Sequence, residues 1–201
     1  LYNKTVLEKV YHNVKKCKKI NKIVIATSIH SSDDKIVKLC KREKINFFRG
    51  DLKNVTKRFF KLLGKQKSKY FVRICADSPL LDTQILDKIV NFSKKNDYDV
   101  ITNVYPRSFP KGQSIEILNK NMFIKNFPLI KNKYDQEHVT TYFYRNSKNF
   151  KIKNFLYKKN FSKINLSIDN PRDLIKLEKV IKKIIKKYNS NFSIKNLISC
   201  V

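Results

Sequence analysis

Two aspartates stand where short apolar runs end in proline-containing turns. Asp77 lies in the stretch YFVRICADSPLLD, residues 70–82, and Asp169 lies in LSIDNPRDL, residues 166–174. Ligands of open α/β sheets bind outside the carboxyl ends of the strands, so carboxylates there can hold Mg²⁺ against a bound phosphate. Alternatively, Asp77 only accepts hydrogen bonds within its own turn. The residues themselves leave both interpretations of Asp77 open.

The elements that must position these turns alternate along the chain. Residues 70–74 predict a buried strand that Pro79 ends, and Asp82 is placed to cap a helix over residues 83–95. Further predicted strands are 22–26, 45–48, 99–103, 114–118, 150–156 and 165–168, and further predicted helices are 5–17, 33–43, 55–63, 119–127, 136–145 and 171–188. The alternation predicts one α/β domain over residues 1–201, with three α/β/α layers around a mainly parallel, doubly wound sheet.

The composition excludes several classes of protein. The net charge is +29, but only seven of the 45 basic residues are arginine and the lysines are spread through the whole chain, which argues against specific nucleic-acid binding. No apolar run approaches the length of a membrane span, so we expect a cytoplasmic protein that does not insert into the membrane. The four cysteines lie far apart without a C-x-x-C pair and predict neither a zinc site nor disulfides.

Six segments, taken in order, resemble the cytidylyltransferases that activate acidic sugars, most closely their spore-coat polysaccharide branch. They are IVIATS at 23–28, FFRGD with VTKRFF at 47–60, VRICADSPLLD at 72–82, ITNVYPRSFPKGQSIEI at 101–117, QEHVTTYFYRN at 136–146 and LSIDNPRDL at 166–174. The resemblance implies a sheet of the nucleotide-diphospho-sugar transferase (GT-A-like) type. It also implies transfer of CMP from CTP to an acidic 2-keto sugar, with release of pyrophosphate.

The resemblance assigns the nucleotide side of the site. It implies that Asp77 and Asp169 ligate one Mg²⁺ ion that bridges the nucleotide phosphates, and it gives them the catalytic role. It places the nucleotide near five residues: Thr27, Ser28, Arg49, Arg58 and Arg73. Two alternatives stay open, since Arg58 can be a solvated helix residue and Arg73 can pair structurally with a nearby carboxylate.

The resemblance also assigns the sugar side. Its residues are Arg107, Lys111, Gln113 and Glu116, with Glu137, His138 and Thr140 in a second segment nearby. His138 alone could equally be a hydrogen-bonded structural residue. The family usually has acidic residues where Lys111 stands and near Ser114, so the sugar is expected to differ or some sugar contacts to be lost. The resemblance is also compatible with a homodimer.

A last expectation concerns the start of the sheet. In the family, the first strand lies between the strands that correspond here to residues 22–26 and 70–74, and a phosphate-gripping loop follows it. Neither is present in this sequence, so we expect those two strands to remain unpaired and this polypeptide to have little transferase activity. The rival functions are a GT-A-type glycosyltransferase that uses a nucleotide sugar and a noncatalytic basic binding protein.

Overall fold

The structure is a computed structural model that describes residues 4–201. The strands are β1 Ile25–Ser28, β2 Phe47–Gly50, β3 Tyr70–Arg73, β4 Val100–Thr102, β5 Glu116–Asn119 and β6 Ile152–Asn154. The helices are α1 Val6–Lys15, α2 Asp34–Arg42, α3 Val55–Leu63, α4 Thr83–Lys95, α5 Lys120–Asn126, α6 Lys133–Glu137, α7 Thr141–Arg145, α8 Pro171–Tyr188 and α9 Ile194–Cys200.

The strands form two sheets. In the smaller one, β1 pairs with β2 in parallel, and in the larger one the order is β3-β5-β4-β6. β5 runs antiparallel to both β3 and β4, while β4 and β6 are parallel, so three of the four strands share one direction and β5 alone is reversed. The predicted α/β class with parallel elements is confirmed. Parallel strands that helices cover on both faces have nearly continuous apolar sequences.

Helices cover both faces of the larger sheet. Alternate residues of a strand point to opposite faces, and here Val72, Ile101 and Ile117 pack with α1 and α4. Their neighbours Phe71, Val100 and Leu118 pack on the other side, with α3, α5 and α7. A third apolar cluster joins α8 and α9 to Leu80 and Leu166, next to the turn that contains Asp77.

A cavity separates the two sheets. Within residues 4–201 no ladder joins β1 to β3. In that range, β1 pairs only with β2 and β3 pairs only with β5, so each has one edge outside any ladder. The cavity between them is about 1000 Å³ and is lined by both strands and by one face of α1. The two strands are therefore not paired with each other, as the sequence predicts. Among the described residues, the edges of β1 and β3 that face the cavity have no strand partner.

Asp82 and Asn170 fix the helices that follow the two acidic turns. The carboxylate of Asp82 accepts hydrogen bonds from the amides of Gln84 and Ile85 and so caps α4 as predicted. Asn170 forms a reciprocal capping box with Asp173, and Pro171 takes the first position of α8. Each aspartate turn is thus anchored to a rigid helix.

Two sequence predictions were wrong in detail, and one helix was missed. The helix over residues 136–145 is divided at His138 into α6 and α7, because Asp135 ties the two halves side by side. Residues 165–168 form only an isolated bridge to Lys111, since their backbone pairs with two different segments. α9 was not predicted; its first amide, at Ile194, donates to Asp82, far away in sequence.

The helices of residues 4–201 include none that combines the length and the apolar character needed to cross a membrane.

Candidate active site

The two acidic turns meet through their backbones. The amide of Ile168 donates a hydrogen bond of 2.9 Å to the carbonyl oxygen of Asp77, and Asp169 is the next residue. Asp77 is half-buried and accepts from the hydroxyl of Ser78 at 2.7 Å, whereas Asp169 is exposed and accepts from Ser167 at 3.3 Å. The fold therefore joins two turns that are remote in sequence and that each bear an aspartate. The role of the two aspartates as metal ligands stays a prediction.

This pair of carboxylates fits a cation that is held jointly with phosphate. Across residues 4–201, no group of three or more His, Cys, Asp or Glu side chains is arranged to hold a metal ion. Mg²⁺ is commonly bound through one or two carboxylates, with substrate phosphates and water completing its octahedron. Asp77 and Asp169 supply that donor set and no more.

Thr27 and Ser28, at the end of β1, are organised by a residue that sequence reasoning missed. One carboxylate oxygen of Asp33 accepts from the Thr27 hydroxyl and from the Ser28 amide, both at 2.8 Å. Burial alone would raise the pKa of Asp33, but the hydrogen bonds from Ser28 and Thr27 outweigh it and hold that pKa below its ordinary value. Asp33 therefore stays charged and fixes the turn after β1.

Arg49, on β2, braces the same turn. Its Nε donates to the carbonyl of Ser28 at 2.9 Å and its Nη2 donates to the carbonyl of His30 at 3.0 Å. It also forms an ion pair of 2.8 Å with Asp34. These contacts shape the wall where the resemblance places the nucleotide, and they occupy much of the guanidinium.

Arg58, on α3, is the arginine with hydrogen-bonding capacity left over. Its Nη1 donates to the carbonyl of Asp51 at 3.0 Å, but its Nε is buried and has no hydrogen-bond partner. Burial lowers its pKa, and the carboxylates of Asp33 and Asp51 oppose that shift. Its side chain is also among those that line the cavity.

Four predicted site residues line the cavity. Arg73, Glu137 and His138 line it together with Arg58, whereas most of the remaining lining is apolar. Glu137 is exposed at the end of α6, and the ring of His138 lies against Tyr134 with 4.3 Å between the ring centroids. The structure thus groups four predicted site residues around one space. It places Thr27, Ser28 and Arg49 beside that space rather than in its lining.

Glu116 is the centre of a buried polar network. Its carboxylate accepts from Arg73, from the Thr140 hydroxyl at 2.6 Å and from the Tyr144 hydroxyl at 2.7 Å. Burial alone would lower the pKa of Arg73, but Glu116 outweighs burial and raises it, so the guanidinium stays charged. Burial and Glu116 also raise the pKa of Tyr144 well above its ordinary value. The structural pairing of Arg73 that the sequence left open is present.

Arg107 has a guanidinium that is not paired with a carboxylate. It is half-buried and donates to the Ser114 hydroxyl at 3.0 Å and to the carbonyl of Pro110 at 3.4 Å. Burial lowers its pKa, and the charge of Glu116 opposes that shift. Tyr105, in the same loop, stacks on Tyr144 with 4.7 Å between parallel rings. The loop therefore lies against the Glu116 network and presents a spare positive charge there.

Lys111 and Gln113 are both held in place by hydrogen bonds to backbone groups. The backbone of Lys111 pairs with Ile164 and Leu166, and its side chain is exposed. Gln113 is 1% exposed, and both ends of its amide are engaged by the backbone of residues 80–82. Their assignment to the sugar stays a prediction.

Asp135 is a second residue that sequence reasoning missed. It is 1% exposed, accepts from the Thr141 hydroxyl at 2.6 Å and forms an ion pair with Arg145. Its carbonyl accepts from Thr56 of α3 at 2.7 Å. It thereby holds the segment that bears Glu137 against the rest of the site. Its short helix, KYDQE, contains a second acidic residue, Glu137, so no signal in the sequence distinguished Asp135.

Comparison with known proteins gives relatives along the whole chain. The model of the cytidylyltransferase family matches residues 1–196. An uncharacterised protein of Methanocaldococcus jannaschii is 33% identical, over 100% of this chain and 86% of that protein. The spore coat polysaccharide biosynthesis protein SpsF of Bacillus subtilis is 32% identical, over 60% of this chain and 49% of that protein.

Solved structures agree with the family. A cytidylyltransferase from Leptospira borgpetersenii matches with a TM-score of 0.87 and 26% identity, over 98% of this chain and 82% of that chain. A CMP:2-keto-3-deoxy-manno-octonic acid synthetase solved with CTP matches with a TM-score of 0.67 and 10% identity, over 89% and 88%, and so shares the fold. With a family model that spans nearly every residue and a sheet that superposes on these enzymes, the chain belongs to the cytidylyltransferase family.

Proposed function

We propose that this cytidylyltransferase transfers CMP from CTP to the anomeric hydroxyl of an acidic 2-keto sugar, in the cytoplasm, for surface polysaccharide biosynthesis. The observation that carries the proposal is the backbone hydrogen bond from Ile168 to Asp77, which joins the two turns that bear Asp77 and Asp169. The matches to SpsF and to the synthetase solved with CTP support the pathway and the nucleotide.

The proposed reaction is a displacement at the α-phosphorus of CTP. The sugar hydroxyl oxygen forms the new bond to phosphorus, the bond to the pyrophosphate oxygen breaks, and the hydroxyl proton is released. A Mg²⁺ ion held by Asp77 and Asp169 would offset the negative charge that develops on the phosphates. Thr27, Ser28 and Arg49 form the wall of the nucleotide site. Arg58, which lines the cavity, supplies positive charge for the phosphates.

On the acceptor side, Arg107 binds the carboxylate of the sugar. Its support is a half-buried guanidinium whose partners are a hydroxyl and a carbonyl, because a desolvated cation gains most from an anion that arrives with the substrate. Lys111 is a weaker second cation, since it is exposed. Arg73 and Glu116 shape the floor, Gln113 borders it, and Glu137 and His138 line the cavity.

We also propose that residues 1–201 alone have little transferase activity. The support is the cavity between β1 and β3, which leaves two strand edges unpaired beside the site. A six-residue strand with a rise of 3.3 Å, a spacing of 4.8 Å and a layer thickness of 10 Å occupies about 1000 Å³. The cavity, at about 1000 Å³, is large enough to hold such a strand. A first strand followed by a phosphate-gripping loop would complete both the sheet and the nucleotide site.

The test is release of pyrophosphate from each nucleoside triphosphate, with acidic 2-keto sugars and matched neutral sugars as acceptors. It is run on the chain as given and on a version extended at the amino end by an apolar strand and a glycine-rich basic loop. A rise in Tm shows that the added strand has bound in the cavity between β1 and β3. We expect the extended protein to require CTP and an acidic acceptor.

The test variant is Asp169→Asn, which should abolish pyrophosphate release. The matched control is Asp97→Asn, which replaces an exposed aspartate and should leave pyrophosphate release unchanged. A seated extension that releases no pyrophosphate with any acidic sugar would overturn the proposed reaction. Hydrolysis or transfer of a nucleotide sugar instead would establish the glycosyltransferase alternative. Robust release by the unextended chain would overturn the proposed inactivity.

A further inference from the structure

Hydrogen bonds join three segments that carry predicted site residues. Segment 77–82 contains Asp77, segment 164–169 contains Asp169, and residues 111–113 follow the loop of Arg107. The first two are joined by the hydrogen bond from Ile168 to Asp77. Residues 111–113, which we call the brace, contact both of the others.

The brace holds segment 164–169 through its backbone. The amide of Lys111 donates to the carbonyl of Ile164, and the amide of Leu166 donates to the carbonyl of Lys111, both at 2.9 Å. These two bonds make a short parallel bridge between Lys111 and Asn165, three residues before Ile168. The position of Asp169 therefore depends on how closely the brace lies to this segment.

Gly112 allows that close approach. Its φ is +85°, and a Cβ at this position would lie 2.5 Å from the carbonyl carbon and oxygen of Leu166 and 2.8 Å from the amide nitrogen of Ser167. These are backbone atoms, so a side chain could be accommodated only if the two segments moved apart. Gly64 is the opposite case, because its Cβ would meet nothing closer than 3.6 Å.

Gln113 holds segment 77–82. Its Nε2 donates to the carbonyl of Leu80 at 2.7 Å, and its Oε1 accepts from the amide of Asp82 at 2.8 Å. The backbone carbonyl of Gln113 accepts in turn from the side chain of Asn103. An amide suits this position, because it offers a donor and an acceptor on separate atoms to two backbone groups.

We propose that the brace is the positioning element that sets the separation of Asp77 and Asp169, with Gly112 fixing one carboxylate and Gln113 the other. This inference rests on the proposed function only through the metal ion; the geometry of the brace stands without it. Gln113 thereby acts through the Asp77 turn. It needs no contact with a sugar.

The first experiment is amide hydrogen exchange on Gly112→Ala, Gln113→Met and the matched control Gly64→Ala. In both brace variants, peptides that cover residues 77–82 and 164–169 should exchange about tenfold faster, since each loses hydrogen bonds or close packing at a buried junction. Exchange of β2 should stay unchanged, as should the whole Gly64→Ala profile. Unchanged exchange in Gln113→Met would overturn the proposal even if Gly112→Ala failed to fold.

The second experiment is titration with Mn²⁺ followed by electron paramagnetic resonance, at a temperature where each variant is folded. Asp77→Asn and Asp169→Asn test the metal site itself. If the site exists, Gly112→Ala and Gln113→Met should weaken Mn²⁺ binding by about tenfold, as loss of supporting contacts does elsewhere. Gly64→Ala should not weaken it.

The two failures are distinguishable. If neither aspartate variant changes Mn²⁺ binding, the proposed metal site is wrong, and hydrogen exchange alone then decides whether the brace joins the two segments. If both aspartate variants weaken binding while both brace variants leave it unchanged, the positioning role of the brace is wrong and the metal site stands.

Discussion

The substitution Glu116→Gln tests the polar network at the floor of the site. Glu116 is 3% exposed, and its ion-pair partner Arg73 has a side chain that is 20% exposed. Removing one member of a buried pair costs 3–5 kcal/mol because the other charge stays buried, and the partial exposure of Arg73 puts the expected loss near the lower end, at about 3 kcal/mol. For a chain of this size, that loss lowers Tm by roughly 6–12 °C.

The assay is thermal unfolding followed by circular dichroism, with Glu43→Gln as the matched control. Glu43 makes the same type of ion pair with Arg42, but both side chains are largely exposed, so the control should cost less than about 1 kcal/mol. A second arm combines Glu116→Gln with Arg73→Met, which removes the unpaired charge and should recover part of the loss. If Glu116→Gln lowered Tm no more than Glu43→Gln does, the network would not be the buried pair described above.

Three further outcomes are expected. Asp82→Ala removes the caps of both α4 and α9 and should cost about 2 kcal/mol in urea unfolding, at about 1 kcal/mol per cap; a loss within experimental error would contradict the double cap. Burial and the hydrogen bond to Asp97 raise the pKa of Tyr70 from 10.0 to about 12, so stability from its neutral form is complete below pH 10 and is lost as pH rises toward 12. Between pH 10 and 12 the Tm of Tyr70→Phe should therefore fall less than the Tm of the unchanged protein. Equal falls in Tm would refute the raised pKa of Tyr70. In the extended enzyme, Arg107→Ala should raise KM for the acidic sugar about tenfold with KM for CTP unchanged, the loss of one charged hydrogen bond; an unchanged sugar KM would remove Arg107 from the site.

The sequence was informative wherever the signal was local. Asp82 could be predicted as a cap from its place before a helical pattern, and the same is true of Pro171 at the start of α8. The aspartate turns were visible because proline marks the end of each preceding strand or bridge. The pairing of α/β elements followed from their alternation, although the reversed direction of β5 did not.

What the sequence did not reveal depends on contacts between remote residues. Glu116 resembled a sugar ligand, but its environment is set by Arg73 and Tyr144, which come from other elements. Asp33 looked like the start of a helix, and its bonds to Thr27 and Ser28 appear only once β1 is in place. Local patterns carry no information about which donors will surround a buried carboxylate.

The most direct test of the metal site is an anomalous difference map from crystals of the extended protein grown with CTP and Mn²⁺. The arrangement of Asp77 and Asp169 predicts one manganese peak within coordination distance of both carboxylates and of the nucleotide phosphates. A peak that contacts only one of the two aspartates, or manganese bound to CTP with neither, would contradict the central claim.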